Sequence, residues 1–100
     1  MTDKELLELA AKAAGLVMLT RDCDDGAPSV DDVLWNPLTD DGDALRLAVK
    51  LCMDFTLSGK HAAIAQSGGA MAQEYCNGDP HAATRRAIVR AAAIIGKAMP

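Results

Sequence analysis

The chain predicts an α+β domain in the order α-α-β-β-β-α, a three-stranded antiparallel sheet packed with helices in a sandwich-like arrangement. Three observations carry this. Apolar residues recur at helical spacing near both ends of the chain and again after Asp40. Three short segments between Asp54 and Tyr75 are joined by turns too short for parallel crossovers. A length of 100 residues is that of one domain, expected to occupy 1–100. A chain of this size buries roughly two thirds of its unfolded surface, enough for a core without disulfides or metal.

Thr2-Asp3-Lys4-Glu5 has capping-box spacing, with Thr2 as N-cap and Glu5 reaching back. Leu6, Leu9, Ala10 and Ala13 then recur at helical spacing, Leu7 and Ala14 widen the face, and Gly15 supplies a left-handed stop. Leu16 to Leu19 reads as a short strand or turn. From Thr20 to Leu38 the pattern is loop, rich in Asp, Gly, Pro and Ser, with Val33, Leu34 and Trp35 pinning its far end to the core. So long a loop in a compact domain tends to be functional.

Asp40-Asp41-Gly42-Asp43 opens the second helix, whose expected buried stripe is Ala44, Leu45, Ala48, Leu51 and Cys52, with Arg46 and Lys50 opposite. Acidic side chains in its first turn complement the helix dipole. Asp54 to Leu57, His61 to Gln66 and Ala70 to Tyr75 read as strands, with Ser58-Gly59-Lys60 and Ser67-Gly68-Gly69 as turns. Asp79 is a good N-cap and Pro80 a good first residue for the last helix. Its expected apolar face is Ala83, Ala87, Ile88, Ala91, Ile94, Ile95 and Ala98, and Arg85, Arg86, Arg90 and Lys97 carry the other side.

Half of the residues are apolar, and much of that half is Ala, so the core should be closely packed helices with a few Leu, Ile and Met. Eight of the fourteen acidic residues fall between Asp22 and Asp43, with no Lys or Arg among them: Asp22, Asp24, Asp25, Asp31, Asp32, Asp40, Asp41 and Asp43. Such a block attracts basic surfaces and raises association rates with them. A net charge of −4 argues against duplex binding, and one Trp, one Tyr and one Phe make a base-stacking platform a poor reading. Cys23, Cys52 and Cys76 contain no C-x-x-C pair and read as small buried hydrophobes of an intracellular protein. The charged N-terminus has no signal-peptide apolar region, and the apolar runs are too short to span a bilayer. A soluble, cytoplasmic protein without membrane contact is expected.

No catalytic or metal-binding pattern emerges, and no cofactor is expected. An EF-hand loop beginning at Asp22 would need Gly at its sixth position and Glu at its twelfth, where Ala27 and Val33 stand. His61, His81, Cys52 and Cys76 lack zinc-finger spacing, and no nucleophile has a base beside it. His61 reads as a surface residue beside a turn and His81 as a polar residue of a first helical turn. Gly68-Gly69 reads as a hairpin turn rather than a phosphate loop. Arg85, Arg86 and Arg90 form a basic helix surface with three readings: a solvated face, a phosphate site, or a partner for the acidic loop of the same molecule or of a second copy, which would favour a homodimer. Trp35, before Asn36 and Pro37, reads as a buried anchor; exposed, it would be a binding hot spot.

The string Trp35-Asn36-Pro37-Leu38-Thr39-Asp40-Asp41-Gly42-Asp43-Ala44-Leu45-Arg46-Leu47-Ala48-Val49-Lys50-Leu51 carries a resemblance, joined by Leu6 to Gly15 and by Ala83 to Ala93. Taken together over essentially the whole chain, these blocks resemble small phage and prophage proteins, the phage ABA-sandwich family. That implies bacteriophage or prophage origin and an α/β sandwich-like fold, with no general activity and hence no catalytic residues. The segment from Asp22 to Asp32 is denser in acid than the resemblance implies. An acidic protein of this size without catalytic groups is also similar in character to anti-CRISPR proteins.

The expected function is therefore that of a non-enzymatic phage or prophage inhibitor of a host defence complex. Its carboxylates would occupy a basic nucleic-acid-binding surface of a host protein or ribonucleoprotein such as a CRISPR surveillance complex. The expected contact set is Asp22, Asp24, Asp25, Asp31 and Asp32, with Asp40, Asp41, Asp43 and Trp35 contributing. The alternatives are a sponge-like small-molecule or nucleotide binder using Arg85, Arg86 and Arg90, or a phage accessory protein with another target.

Overall fold

The computed structural model describes residues 2–15, 18–19, 29–30, 33–58 and 62–99. In chain order these form α1 (Asp3–Ala13), β1 (Met18–Leu19), β2 (Ser29–Val30), β3 (Val33–Leu34), α2 (Asp41–Lys50), β4 (Asp54–Ser58), β5 (Ala62–Ser67), β6 (Ala70–Tyr75) and α3 (Pro80–Ala98). The α+β class is as predicted, and the β4-β5-β6 meander follows α2 and precedes α3 in the expected order. The stretch read as loop from Thr20 to Leu38 differs. It contributes β2 and β3, which pair antiparallel with each other and with β1 in a second, minimal sheet. Two-residue strands are too short to leave an alternating pattern in a sequence, so period alone does not reveal them.

α3 is the hub: α1, α2, β5 and β6 all pack against it. Its buried residues, Ala83, Ala87, Ile88, Val89, Ala91, Ala92, Ala93 and Gly96, run around most of its circumference. Small side chains suit a helix pressed from several sides, because backbones approach closely only where little stands between them. α1 runs parallel to α3: Asp3 meets Arg86, Leu9 lies against Gly96, and Lys12 Nζ donates to the Met99 carbonyl at 3.1 Å. A Cβ on Gly96 would collide with the Leu9 backbone. Ile94 was expected on the buried face but is exposed, as is Ala98, and Ile95 is half-buried.

The caps follow the sequence closely. Thr2 accepts the Glu5 N–H at 3.2 Å, Asp40 the Asp43 N–H at 2.8 Å and Asp79 the Ala82 N–H at 3.0 Å. Each satisfies a donor that the first helical turn leaves without an intrahelical partner. Gly15 ends α1 with φ of 71°, as expected. The buried stripe of α1 is Leu6, Leu7, Ala10, Ala11 and Ala14, so Leu7 and Ala14 belong to its centre, while Leu9 and Ala13 are only half-buried.

α2 departs further from expectation. Its buried residues are Ala44, Leu47 and Ala48, with Leu51 half-buried; Leu45 and Cys52 are exposed. The helix stops at Lys50, and the chain reverses in a Schellman motif. Cys52 donates to the Val49 carbonyl at 3.1 Å and Met53 to the Ala48 carbonyl at 2.9 Å. Cys52 takes the left-handed position, φ 52°, that Gly usually fills, and its side chain is thereby carried off the buried stripe. Cys76 is buried as expected, and Cys23 lies outside the described residues.

In the larger sheet Asp54 pairs with Gln66 and Ser58 with Ala62, then Ala62 with Tyr75 and Ser67 with Ala70. The last pair encloses Gly68-Gly69, and Gly68 has φ of 58°, the positive value that a two-residue hairpin loop requires. Ala63, Ala65, Ala70 and Ala72 are buried on the face that α3 covers. Gln66, Met71, Gln73 and Tyr75 are exposed, on the opposite face. Among the described residues, no helix is long and apolar enough to cross a membrane.

Candidate functional site

The Asn36–Asp43 segment is where most of the expected site residues meet. Trp35 enters it with its side chain in the core, 8% exposed, and Pro37 is fully buried. Trp35 is thus an anchor and no longer belongs with surface contacts. Asn36 organises the turn: its side-chain oxygen accepts the Leu38 N–H at 3.1 Å, and its carbonyl accepts the N–H groups of Thr39 and Asp40 at 3.1 and 2.9 Å. Asn before Pro favours such a turn because its side chain substitutes for a backbone acceptor.

The three carboxylates that follow are engaged within the molecule. Asp40 caps α2. Asp43 accepts the Asn36 N–H at 3.0 Å and a 2.6 Å bond from Arg46, and its side chain is only 14% exposed. Asp41 accepts a 2.6 Å bond from Arg85, with His81 Nδ1 at 3.8 Å. The Arg85 hydrogen bond holds the Asp41 carboxyl below the usual carboxylate range; the Arg85 and His81 charges act in the same direction, against a partial desolvation. Asp40, Asp41 and Asp43 therefore fasten α2, the preceding turn and α3 together. These internal roles stand beside their expected one as partner contacts: the Asp40 and Asp41 side chains remain 59% and 66% exposed.

The basic face of α3 is engaged in the same way. Arg85 also donates through Nε to the Leu38 carbonyl at 2.9 Å, so one guanidinium joins the turn and α2 to α3. Arg86 reaches Asp3 at 3.1 Å and Glu74 at 3.5 Å, and Arg90 reaches Glu74 at 2.7 Å and the Gln73 carbonyl at 3.3 Å. Each of the three arginines thus has a carboxylate partner from another element. These partners, Asp41, Asp3 and Glu74, lie on α2, α1 and β6 and not in the acidic loop expected to face the arginines. A phosphate would have to displace Asp41, Asp3 or Glu74.

Asp22, Asp24, Asp25, Asp31, Asp32 and His61 lie outside the described residues. Their flanks are described, however. Leu19 pairs with Ser29, and Val30 with Val33. His81 is exposed in the first turn of α3, as expected. Among the described residues, no group of three or more His, Cys, Asp or Glu side chains is placed to hold a metal ion.

Sequence reading missed a set of large apolar side chains that stay exposed while Ala fills the core: Leu45, Val49, Phe55, Leu57, Met71 and Tyr75. The only Phe and the only Tyr of the chain are among them. Alternation in Asp54 to Leu57 shows that Phe55 and Leu57 share a face. It does not show that the covering helix reaches only β5 and β6. Comparison with family models, with curated proteins and with solved structures returns no match.

Proposed function

We propose that the chain is a non-enzymatic inhibitor of phage or prophage origin that binds a basic, nucleic-acid-binding surface of a host defence complex. The acidic segment from Asp22 to Asp32 is its contact set, and a CRISPR surveillance complex in the bacterial cytoplasm is the target class. The observation that carries this reading is the partition of charge. Outside the Asp22–Asp32 segment the sequence has nine acidic and ten Lys or Arg residues, a balance of +1 against −5 within it. Many of these are paired with one another or cap helices. The other five carboxylates are Asp22, Asp24, Asp25, Asp31 and Asp32, with no basic residue between them.

A near-neutral, internally paired fold whose sequence carries one segment dense in Asp suits recognition of Lys- and Arg-rich surfaces. Several carboxylates close together present an array of negative oxygens, as a phosphate backbone does, and focus a field that speeds encounter. Exposed charges of this kind are screened over about 8 Å at physiological salt, so the complex should weaken as salt rises. Trp35 leaves the contact set because its side chain is in the core, while Asp40, Asp41 and Asp43 are secondary contributors whose side chains also serve the fold.

The test is a phage carrying this gene, plated on a host with active CRISPR immunity beside a matched phage lacking it. Rescue of plaquing and capture of the surveillance complex are expected. Both should be lost when Asp22, Asp24, Asp25, Asp31 and Asp32 are all changed to Asn, with the melting temperature nearly unchanged. A quintuple variant that binds and rescues as the parent does would overturn the assignment of the contact set. Absence of rescue across several CRISPR types would overturn the target class.

A further inference from the structure

β4 is, among the described residues, an edge strand with little protection beyond the charge of Asp54. Among the described residues it has a backbone partner on one side only, β5, and pairs with it regularly from Asp54 to Ser58 without a bulge. It contains no Lys and no Pro, two of the devices by which edge strands avoid adding another strand. The opposite edge is different. β6 carries an inward-facing charge, Glu74, held under α3 by Arg86 and Arg90. α3 packs on β5 and β6, and the helix-side residues of β4, Phe55 and Leu57, remain 44% and 57% exposed.

We propose that β4 is a self-association edge, on which two copies of this chain pair antiparallel about a two-fold axis at Thr56 to form a six-stranded sheet. The occupant follows from the strand's own sequence. A two-fold axis perpendicular to a sheet requires opposed residues to share a face, so the axis must pass midway between the two copies of a single residue that pairs with itself. Centred on Thr56, the register pairs all five residues of β4: Asp54 with Ser58, Phe55 with Leu57, and Thr56 with Thr56 of the second copy. Centred on Phe55, it would draw in Met53, whose N–H is committed to Ala48 and whose side chain packs on the core. The Thr56 register also keeps the one charge of the strand, Asp54, away from its own copy.

This pairing does two things that the lone chain leaves undone. It supplies about four to six main-chain hydrogen bonds to an otherwise unpaired edge. It also sets Phe55 of each copy directly opposite Leu57 of the other on the helix side, with Cβ atoms about 5 Å apart. A four-residue apolar cluster then fills the space that α3 does not cover. An aromatic and an aliphatic residue meeting across a two-fold is the composition expected of an interface core. The surface is separate from the paired arginines of α3.

The experiment is sedimentation equilibrium of the full chain at concentrations up to about 1 mM, where weak interfaces are populated. The parent should reach twice the 10.5 kDa chain mass. F55K/L57K and F55E/L57E, each folded by circular dichroism, should stay monomeric alone and form a heterodimer when mixed, because each Lys then faces a Glu. A parent that is monomeric throughout overturns the proposal, including the case in which another protein's strand takes the edge instead. Persistence of either homodimer overturns it, as does failure of the mixture to associate. Should the variants not fold, amide exchange of the parent decides: protection at 54–58 must rise with concentration, and protection independent of concentration refutes the pairing.

Discussion

Gly96→Ala is the substitution at which local and tertiary expectations differ in sign. Gly costs up to about 1 kcal/mol relative to Ala within a helix, so propensity alone predicts stabilisation. The structure predicts the reverse. An added Cβ would fall on the Leu9 carbonyl oxygen and stand 2.8 Å from its carbonyl carbon and 3.2 Å from its Cα. These are backbone atoms, and no side-chain rotation relieves the overlap. α1 must retreat by roughly 1 Å to restore ordinary contact distances. That retreat loosens packing around Ala10, Ala11, Ala92 and Ala93, all essentially buried. Overpacking of this kind costs about 1–3 kcal/mol, and the propensity gain offsets part of it. A net loss of about 1–2 kcal/mol corresponds to a fall in Tm of about 5–15 °C for a domain of this size. Thermal denaturation followed by circular dichroism measures it, with Gly69→Ala as the control, since nothing lies within 4 Å of a Cβ there. An unchanged or higher Tm for Gly96→Ala would refute the close approach, as would an equal fall in both variants.

Trp35→Ala should cost about 3–5 kcal/mol in urea denaturation, the range for a buried indole; a near-parental midpoint would return Trp35 to the surface. Cys52→Gly should stabilise by about 0.5 kcal/mol, because it removes a left-handed strain of about 1–2 kcal/mol and adds back part of it as unfolded-chain entropy; destabilisation would show that the Cys52 side chain contributes more than its exposure implies. The carboxyl of Asp41 has a lowered folded pKa, so its stabilisation is present above the ordinary Asp value near 3.9 and is lost as pH falls through the lower folded value. The stability difference between the parent and Asp41→Asn should accordingly be largest near neutral pH and close below about pH 4; a difference that persists in acid would refute the Arg85–Asp41 pair as its source.

Caps were the most legible part of the fold. Thr2, Asp40 and Asp79 each do in space what their position in the sequence announced, because a cap involves residues only three positions apart. The β4-β5-β6 meander was legible for a related reason: short turns leave little choice of partner, and Gly68 marks one of them. The buried stripes of the helices were less so. Leu45 and Leu47 are equally apolar and two positions apart, so the choice between them rests on where α3 lies and on the chain reversal at Cys52. For the candidate site, composition revealed the concentration of Asp from Asp22 to Asp43, but could not single out Asp40, Asp41 and Asp43 as engaged by the fold. That engagement depends on Arg85, Arg46 and the Asn36 N–H, of which Arg85 is over forty positions from Asp41.

By itself the sequence determined the class, the helix starts, the order of the larger sheet and the gathering of negative charge in one segment. All of these follow from interactions between neighbours in the chain or from composition. Only the tertiary structure decided that α1 lies parallel to α3 at Gly96, that Arg85, Arg86 and Arg90 are taken up by carboxylates of other elements, and that β4 extends beyond the helix layer with Phe55 and Leu57 uncovered. The reason is common to all three. They depend on which surfaces meet when distant segments pack, and a backbone approach, an ion pair or an uncovered edge exists only once that packing has set the distances.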